Sequence, residues 1–276
     1  MEYIELYNGV KMPVIGYGTN KVADKQALLD AIKIGYRLID TAEVYHNEEM
    51  VGEAIKESGV PREEFFIVTK VRFRNNADPV EIIEESFRKL GVDVIDLFLI
   101  HWPYGDYYHA YKVLESYYKQ GRVRAIGISN FEPGRMIDIY HNSEIKPMVN
   151  QIEVNVYAQR LIEKPYNDKY QIITMAYAPL GHGVSPELLE EPLLVKIGEK
   201  YGKTAPQIAL KYLLQRGIVI IPKSSHKERI QQNFDLFDFS LTEEEMEAIK
   251  VLDKKRPTVG RPEDGVIAEK MYAKDE

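Results

Sequence analysis

Residues 65–101 read FFIVTKVRFRNNADPVEIIEESFRKLGVDVIDLFLIH, and they hold one complete unit of the fold. Phe65–Thr69 is a short, nearly continuous apolar run rich in β-branched side chains, as expected of a strand buried on both faces. Asp78-Pro79 then supplies a helix N-cap with proline at the first helical position, and Glu81 completes a capping box. Ile83, Phe87 and Leu90 share one helical face before Gly91 stops the helix. Ile95–Ile100 is a second apolar run. Strand, amphipathic helix and strand make a parallel βαβ unit.

The same unit recurs on both sides. Apolar runs stand at Val14–Tyr17, Arg37–Ile39, Val123–Ile128, Met148–Ile152, Ile172–Ala176 and Ile218–Ile221, which with the first two makes eight. Before them, Tyr3–Leu6 and Val10–Met12 flank Asn8-Gly9, the strongest short hairpin signal. After them, Thr242 and Glu245 form a second capping box, with Met246, Ile249 and Leu252 as the buried stripe. Eight strand–helix units in about 250 residues are the size of a (β/α)8 TIM barrel. The expected α/β fold is therefore that barrel, with an N-terminal β-hairpin and two extra helices outside it, near Leu193–Tyr201 and Glu243–Leu252. No linker or low-complexity tract divides residues 1–276, so a single domain is expected.

Composition narrows the function. A chain of 276 residues with 45% hydrophobic and 29% charged side chains is an ordinary globular protein. Its net charge of −7 gives no general pull toward nucleic acid or anionic lipid, so any anion site must be local. The absence of cysteine excludes disulfides, thiolate metal sites and cysteine nucleophiles. No run approaches the roughly 18 apolar residues of a membrane span, and Glu2 and Glu5 stand where a signal peptide would be basic. A cytoplasmic protein, without membrane or nucleic-acid partners, is expected.

Barrel enzymes work where their strands end, at the C-terminal face. Here the apolar runs are followed in turn by Thr19, Asp40, Lys70, His101, Ser129-Asn130, Gln151, Tyr177 and Lys223-Ser224. One polar residue at a strand end is usually a turn residue; eight converging on one mouth build a polar pocket. Within the set, Asp40, Tyr45, Lys70 and His101 have a joint chemistry. A tyrosine's reference pKa of about 10 is high for an acid at neutral pH, and an ammonium beside it favours the phenolate. An aspartate keeps that ammonium charged, and a histidine can orient a carbonyl oxygen. The assembly suits proton donation to a carbonyl becoming an alkoxide, without a metal. Taken singly, Asp40 and Lys70 read equally well as a buried ion pair, while a lone Tyr45 is more often a packing residue and a lone His101 a satisfied core histidine.

These residues lie in longer motifs. Asp40-Thr41-Ala42-x-x-Tyr45-x-Asn47-Glu48, Val68-Thr69-Lys70, Ile100-His101-Trp102-Pro103, Gly127-Ile128-Ser129-Asn130-Phe131 and Asn150-Gln151-x-Glu153 follow one another along the chain. Tyr177-x-Pro179-Leu180-Gly181 and Ile221-Pro222-Lys223-Ser224 complete the series. In this order the chain resembles an aldo-keto reductase from about residue 10 to 260. The resemblance implies hydride transfer from NADPH to an aldehyde or ketone, with Tyr45 as general acid, Lys70 and Asp40 tuning it, and His101 orienting the carbonyl. It implies that Ser129, Asn130 and Gln151 hold the carboxamide, that Tyr177 stacks on the nicotinamide, and that Pro179-Leu180-Gly181 leads into a loop over the pyrophosphate. Gly18, Thr19 and Asp40 complete the cofactor set on that side.

Residue types also bear on the cofactor. Gly16 and Gly18 are followed by Lys21 instead of a third glycine, which argues against a Rossmann fingerprint. Gly198–Thr204 resembles a P-loop but is one residue short and follows a helical stretch, so it is set aside. Lys223, Ser224, Ser225 and Arg229, beside a helix N-terminus, suit a phosphate monoester, although ordinary solvated charges explain them as well. With the resemblance they correspond to a 2′-phosphate site and Gln232-Asn233 to adenine contacts. For substrate, Asn20 stands where many relatives place an aromatic residue, and the segment from Trp102 to Tyr111 is short. Asn20, Tyr45, His101 and Trp102 are the expected substrate contacts; Tyr104, Tyr107, Tyr108 and the tail Lys270-Met271-Tyr272 are weaker ones. A small or polar carbonyl and a monomeric enzyme are expected. The rival readings are a non-catalytic NADPH-binding barrel serving as redox sensor or accessory subunit, and an isomerase or lyase for phosphorylated substrates. The four filled catalytic positions count against the first. The second leaves Gln151 and Tyr177 without a shared task.

Overall fold

The hairpin forms around Asn8-Gly9: β1 (Tyr3–Glu5) pairs antiparallel with β2 (Lys11–Pro13), Ile4 lying opposite Met12. Gly9 has φ +83°, a conformation glycine enters without steric cost. Leu6 and Met12 join the apolar cluster that fills the barrel, so the hairpin plugs its base.

The computed structural model describes residues 2–72, 78–183, 185–255, 257 and 261–273. After the hairpin come β3 (Gly16–Gly18), α1 (Lys25–Ile34), β4 (Leu38–Asp40), α2 (Glu48–Glu57), β5 (Phe66–Val71), α3 (Pro79–Leu90), β6 (Leu97–Ile100) and α4 (Tyr107–Lys119). The chain continues with β7 (Ile126–Ser129), α5 (Pro133–Asn142), β8 (Val149–Glu153), α6 (Glu163–Lys169) and β9 (Ile173–Tyr177). It ends with α7 (Pro192–Tyr201), α8 (Ala205–Gln215), β10 (Val219–Ile220), α9 (Lys227–Phe234), α10 (Glu243–Lys250) and α11 (Gly265–Ala273). Each strand from β3 to β10 pairs in parallel with the next. The ring closes where Ile15 bridges Ile220 and the Gly18 amide donates to the Pro222 carbonyl at 3.1 Å. None of the described helices is long and apolar enough to cross a membrane.

The helix ends carry the signals that the sequence announces. Asp78 accepts from the Val80 amide at 2.9 Å and Gly91 takes the left-handed C-cap at φ +64°. Glu81 makes no reciprocal bond among the described residues, so that box stays open. Thr242 and Glu245 close theirs in both directions. The glycines of 198–204 are structural. Gly198 faces the Lys203 carbonyl so closely that a Cβ would collide with it, Gly202 ends α7 at φ +64°, and Thr204 caps α8 with Gln207.

Two features differ from the sequence expectation. Six of the eight strands reach one or two residues further toward their C-terminal ends, because ladder pairing continues through polar side chains: Lys70 pairs with Leu99 and Glu153 with Tyr177, whereas β6 ends where expected and β10 one residue earlier. Besides the two expected extra helices, α7 and α10, there is a third, α11. Its sequence carries no clear apolar stripe. Contacts with the segment after β6 hold the tail in place: Tyr104 Oη donates to the Pro262 carbonyl at 2.8 Å, and the Gly105 amide donates to Tyr272 Oη at 3.0 Å.

Candidate active site

Strand alternation builds the site. Leu38, Val68, Leu99, Val149, Met175 and Ile221 belong to the cluster that fills the barrel. Ile39, Ile67, Phe98 and Ile100, their neighbours in sequence, pack against the helices. Successive strand side chains point to opposite faces, so two residues further on the interior face continues. It continues with Asp40, Lys70, His101, Gln151, Tyr177 and Lys223. An apolar floor becomes a polar mouth strand by strand.

Three of these residues form a closed network. Lys70 is fully buried, and its Nζ donates to Asp40 Oδ1 at 2.7 Å and to the Thr41 carbonyl at 2.8 Å. Gln151 Nε2 donates to Asp40 Oδ2 at 2.7 Å, which engages both carboxylate oxygens. Burial pushes the Lys70 ammonium down, but the Asp40 and Tyr45 charges more than offset it, and the net direction is up. Its Nζ lies 5.0 Å from the centre of the half-buried Tyr45 ring.

Tyr45 ends a short 3-10 turn, Glu43–Tyr45, and the next two motif residues pin that turn. Asn47 Nδ2 donates to the Thr19 carbonyl at 2.8 Å, while its Oδ1 accepts from Thr41 Oγ1 at 2.8 Å. Glu48 is buried and accepts from Thr69 Oγ1 at 2.6 Å; burial pushes its carboxyl up. Asn47 and Glu48 therefore fix where Tyr45 stands.

His101 meets Tyr45 edge-on, with ring centres 5.8 Å apart and planes at 80°. Burial drives its pKa well below the usual histidine value, and the charges of Lys70 and Arg72 push the same way. At physiological pH the ring is neutral, with one N–H to donate. Its Nδ1 has no hydrogen-bond partner among the described residues. Trp102, the chain's single tryptophan, stacks between His101 and Tyr104, at 6.4 and 6.0 Å between ring centres.

The opposite side of the mouth is amide-rich. Asn130 follows β7 at φ +63°, a left-handed position that asparagine tolerates better than most residues. Its Nδ2 donates to the His101 carbonyl at 3.0 Å and its Oδ1 accepts from Tyr177 Oη at 2.7 Å. Ser129 Oγ donates to the Gln151 carbonyl at 2.8 Å. Thr19 Oγ1 donates to the Asp40 carbonyl at 2.9 Å. At Gly18 a Cβ would stand 3.2 Å from Ile221 Cγ2 and 3.7 Å from Lys223 Cβ, so the glycine lets β3 and the end of β10 approach.

Beyond Tyr177 the backbone turns left-handed repeatedly, at Ala178 (φ +49°) and, after Pro179 and Leu180, at Gly181, His182 and Gly183 (φ +76°, +53° and +73°). His182 is pushed down by burial and by the charges of Lys21 and Lys223, with Glu153 opposing. Past Lys223, Ser224 is buried and its Oγ accepts from the His226 amide at 3.1 Å. Ser225, Arg229 and Gln232 are exposed on the first turns of α9 or just before it, and Asn233 is buried. Neither Lys223 nor Arg229 makes an ion pair among the described residues.

The structure thus brings Asp40, Tyr45, Lys70, His101, Ser129, Asn130, Gln151 and Tyr177 together at one mouth, with Lys223 exposed at its edge. Two of the weaker candidates pack on each other and on a neighbour: Tyr107 lies edge-on to Phe131 at 5.2 Å and stacks with Tyr108 at 4.6 Å. Asn20 stands half-buried at the turn after Thr19. Lys21, Arg72 and His182 are not among the site residues expected from the sequence, and Glu153 enters there only as a motif residue without a role. For Arg72 and Glu153 the signal was the alternation itself, two residues on from Lys70 and Gln151. A cavity of about 670 Å³ includes Lys21, Tyr45, His46 and Glu49 but neither Lys70 nor His101. It borders the site from the α2 side.

The model of the Aldo/keto reductase family matches residues 8–254. The chain belongs to the aldo/keto reductase family. Among its relatives, the glyoxal reductase of Bacillus subtilis is 42% identical over 271 residues, covering 95% of this chain and 96% of that protein. The 9,11-endoperoxide prostaglandin H2 reductase of Trypanosoma cruzi is 40% identical over 270 residues, with 94% of each chain covered. Among solved structures, an aldo-keto reductase of Bombyx mori in complex with NADP superimposes with a TM-score of 0.88 at 38% identity, over 94% of this chain and 95% of that one. An aldo-keto reductase from a deep-sea metagenome library gives 0.92 at 41% identity, over 95% and 98%.

Proposed function

We propose that this aldo/keto reductase is a single-domain, NADPH-dependent reductase of small aldehydes and ketones, with Tyr45 as its proton donor. One observation carries the reading: the Tyr45 ring stands between a fully buried ammonium, Lys70, and a neutral imidazole, His101, at the mouth of the barrel.

The residues present fit the cofactor chemically. Ser129, Asn130 and Gln151 offer the hydroxyl and amides that a carboxamide needs, and the Tyr177 ring offers a flat face for nicotinamide. Gly18, Thr19 and Asp40 flank that place. Lys21 and the Pro179-Leu180-Gly181-His182 loop suit a pyrophosphate. Lys223, Ser224, Ser225 and Arg229 suit a 2′-phosphate, and Gln232 and Asn233 adenine. Bound NADPH supplies the hydride.

The chain's own residues do the rest. Tyr45 gives its phenolic proton to the carbonyl oxygen, so that carbonyl, hydride and proton together become alcohol. The phenolate left behind is stabilised by the Lys70 ammonium, which Asp40 keeps charged and Gln151 helps to hold in place. His101, neutral, donates one hydrogen bond to the same oxygen and fixes which way the carbonyl points. Asn20 and Trp102 border the substrate. Each group is held before substrate arrives, which is where electrostatic catalysis gains most.

Relatives named for glyoxal and methylglyoxal, the latter from Yersinia pestis at 37% identity, suggest small dicarbonyls as the first compounds to try. Steady-state oxidation of NADPH and NADH should be followed with glyoxal, methylglyoxal and simple aldehydes. Saturable turnover with NADPH, and at least about tenfold less efficient turnover with NADH, is expected. Quenching of Trp102 fluorescence by NADPH without turnover of any carbonyl would instead favour the non-catalytic reading.

A further inference from the structure

The interior face of β5 climbs through Phe66, Val68 and Lys70, and the residue two further on is Arg72. Phe66 and Val68 lie in the barrel-filling cluster and Val71 in the outer one, so alternation sends Arg72 toward the mouth. The side chain is 8% exposed. Its charge acts on His101, and its Nη1 lies 3.8 Å from the Met271 Sδ in α11. The Met271 contact sets the guanidinium against the tail helix, which also bears Tyr272, stacked at a tilt on Tyr104, itself stacked on Trp102.

Arg72 is a second cation beside His101, after Lys70, and the proton-donor chemistry of Tyr45 does not use it. In the carbonyl-reductase reading, a substrate whose oxygen is held by Tyr45 and His101 comes within reach of this cation.

We propose, resting on the carbonyl-reductase reading, that Arg72 is a specificity-determining residue that selects substrates carrying a carboxylate near the reacting carbonyl. A guanidinium presents its N–H donors as a planar fork matched to a carboxylate, and such bonds are about twice as strong as neutral ones. The charges facing it set the valence of the anion. Glu43 Oε1 accepts from the Arg72 backbone amide at 3.2 Å, and the Asp40 carboxylate lies across the Lys70 ammonium. Two nearby carboxylates favour a monoanion over a phosphate dianion.

The test compares butanal with 4-oxobutanoate, which has the same chain length and a terminal carboxylate, in wild type, Arg72→Met and Arg72→Lys. Wild type is expected to favour 4-oxobutanoate in kcat/KM by about tenfold or more. Arg72→Met should lower that value by about 10- to 100-fold, mainly through KM, and move butanal by less than about threefold. Arg72→Lys should recover part of the loss, because it returns the charge without the fork. If Arg72→Met does not fold, wild type against Arg72→Lys carries the same comparison. Equal losses on both aldehydes would overturn the proposal and leave Arg72 as a pin for α11. So would a wild type indifferent to the carboxylate. Turnover of neither aldehyde would count against the carbonyl-reductase reading itself, whereas turnover of butanal without any carboxylate effect counts against Arg72 alone.

Discussion

Asp40 and Arg229 both belong to the candidate site, and both carry a charge that needs a partner. Asp40 has its partners already: Lys70 and Gln151 occupy its two oxygens, and all three side chains are buried. Arg229 stands in solvent with Lys223, Ser225 and Gln232 as exposed neighbours. The difference follows from the cost of desolvation. A charge buried at the mouth must be paired before ligand arrives, or the fold pays several kcal/mol for it. A charge on a helix rim can wait in water at little cost. The first arrangement suits chemistry, which needs fixed dipoles; the second suits recognition of a phosphate that brings its own charge.

The largest expected effect breaks this comparison on stability. Lys70→Met leaves the Asp40 carboxylate buried without its counter-ion, and should cost about 3–5 kcal/mol of folding free energy. Arg229→Ala should stay within about 0.5 kcal/mol, as surface changes do. Urea unfolding of the two variants measures both; similar costs would mean that the mouth is not the paired network described.

The next effect reverses the order of importance. For cofactor binding, Arg229→Ala should weaken NADPH by about 1.5–3 kcal/mol, the range for a hydrogen bond to a charged group, and NADH much less. Trp102 fluorescence reports both titrations, since that side chain stacks on His101. Equal losses for the two cofactors would assign Arg229 to the protein surface.

The same contrast governs what the sequence discloses. The barrel was legible because eight β-branched runs and capped helices all point to one architecture. Asp40, Lys70, His101 and Gln151 were legible because each ends an apolar run. Arg72 was not read as part of the mouth, although its register is visible in Phe66, Val68 and Lys70, because an arginine past a strand end usually lies in solvent. Helix α11 was illegible for another reason: nothing in Gly265–Ala273 itself forms an apolar face, and its position comes from Tyr104, Gly105 and Arg72, distant in sequence. Tyr107 and Tyr108 show how one pattern serves two readings: an aromatic-rich segment beside His101 reads as a pocket wall or as packing, and in the structure Tyr107 packs edge-on against Phe131.

A smaller effect sharpens the account of the turn that carries Tyr45. Burial raises the Glu48 carboxyl, so the folded chain holds that proton more tightly than the unfolded one. Stability should therefore fall as pH rises above the ordinary glutamate value of about 4.3 and through the folded value. Glu48→Gln keeps an acceptor for Thr69 and loses the titration. The variant should gain on wild type as pH increases, by no more than about 1.4 kcal/mol per pH unit. Parallel pH–stability curves would mean that Glu48 titrates alike in both states.

The central claim, that Tyr45 is the proton donor of a mouth already assembled around it, is tested most directly by Tyr45→Phe. Single-turnover reduction of an aldehyde should be measured with NADPH affinity determined on the same protein through Trp102 fluorescence. The expected result is a loss of about 10²-fold or more in the reduction rate, the scale of general acid catalysis, with NADPH affinity and folding stability nearly unchanged. Reduction at a near-normal rate by the phenylalanine variant would contradict the claim.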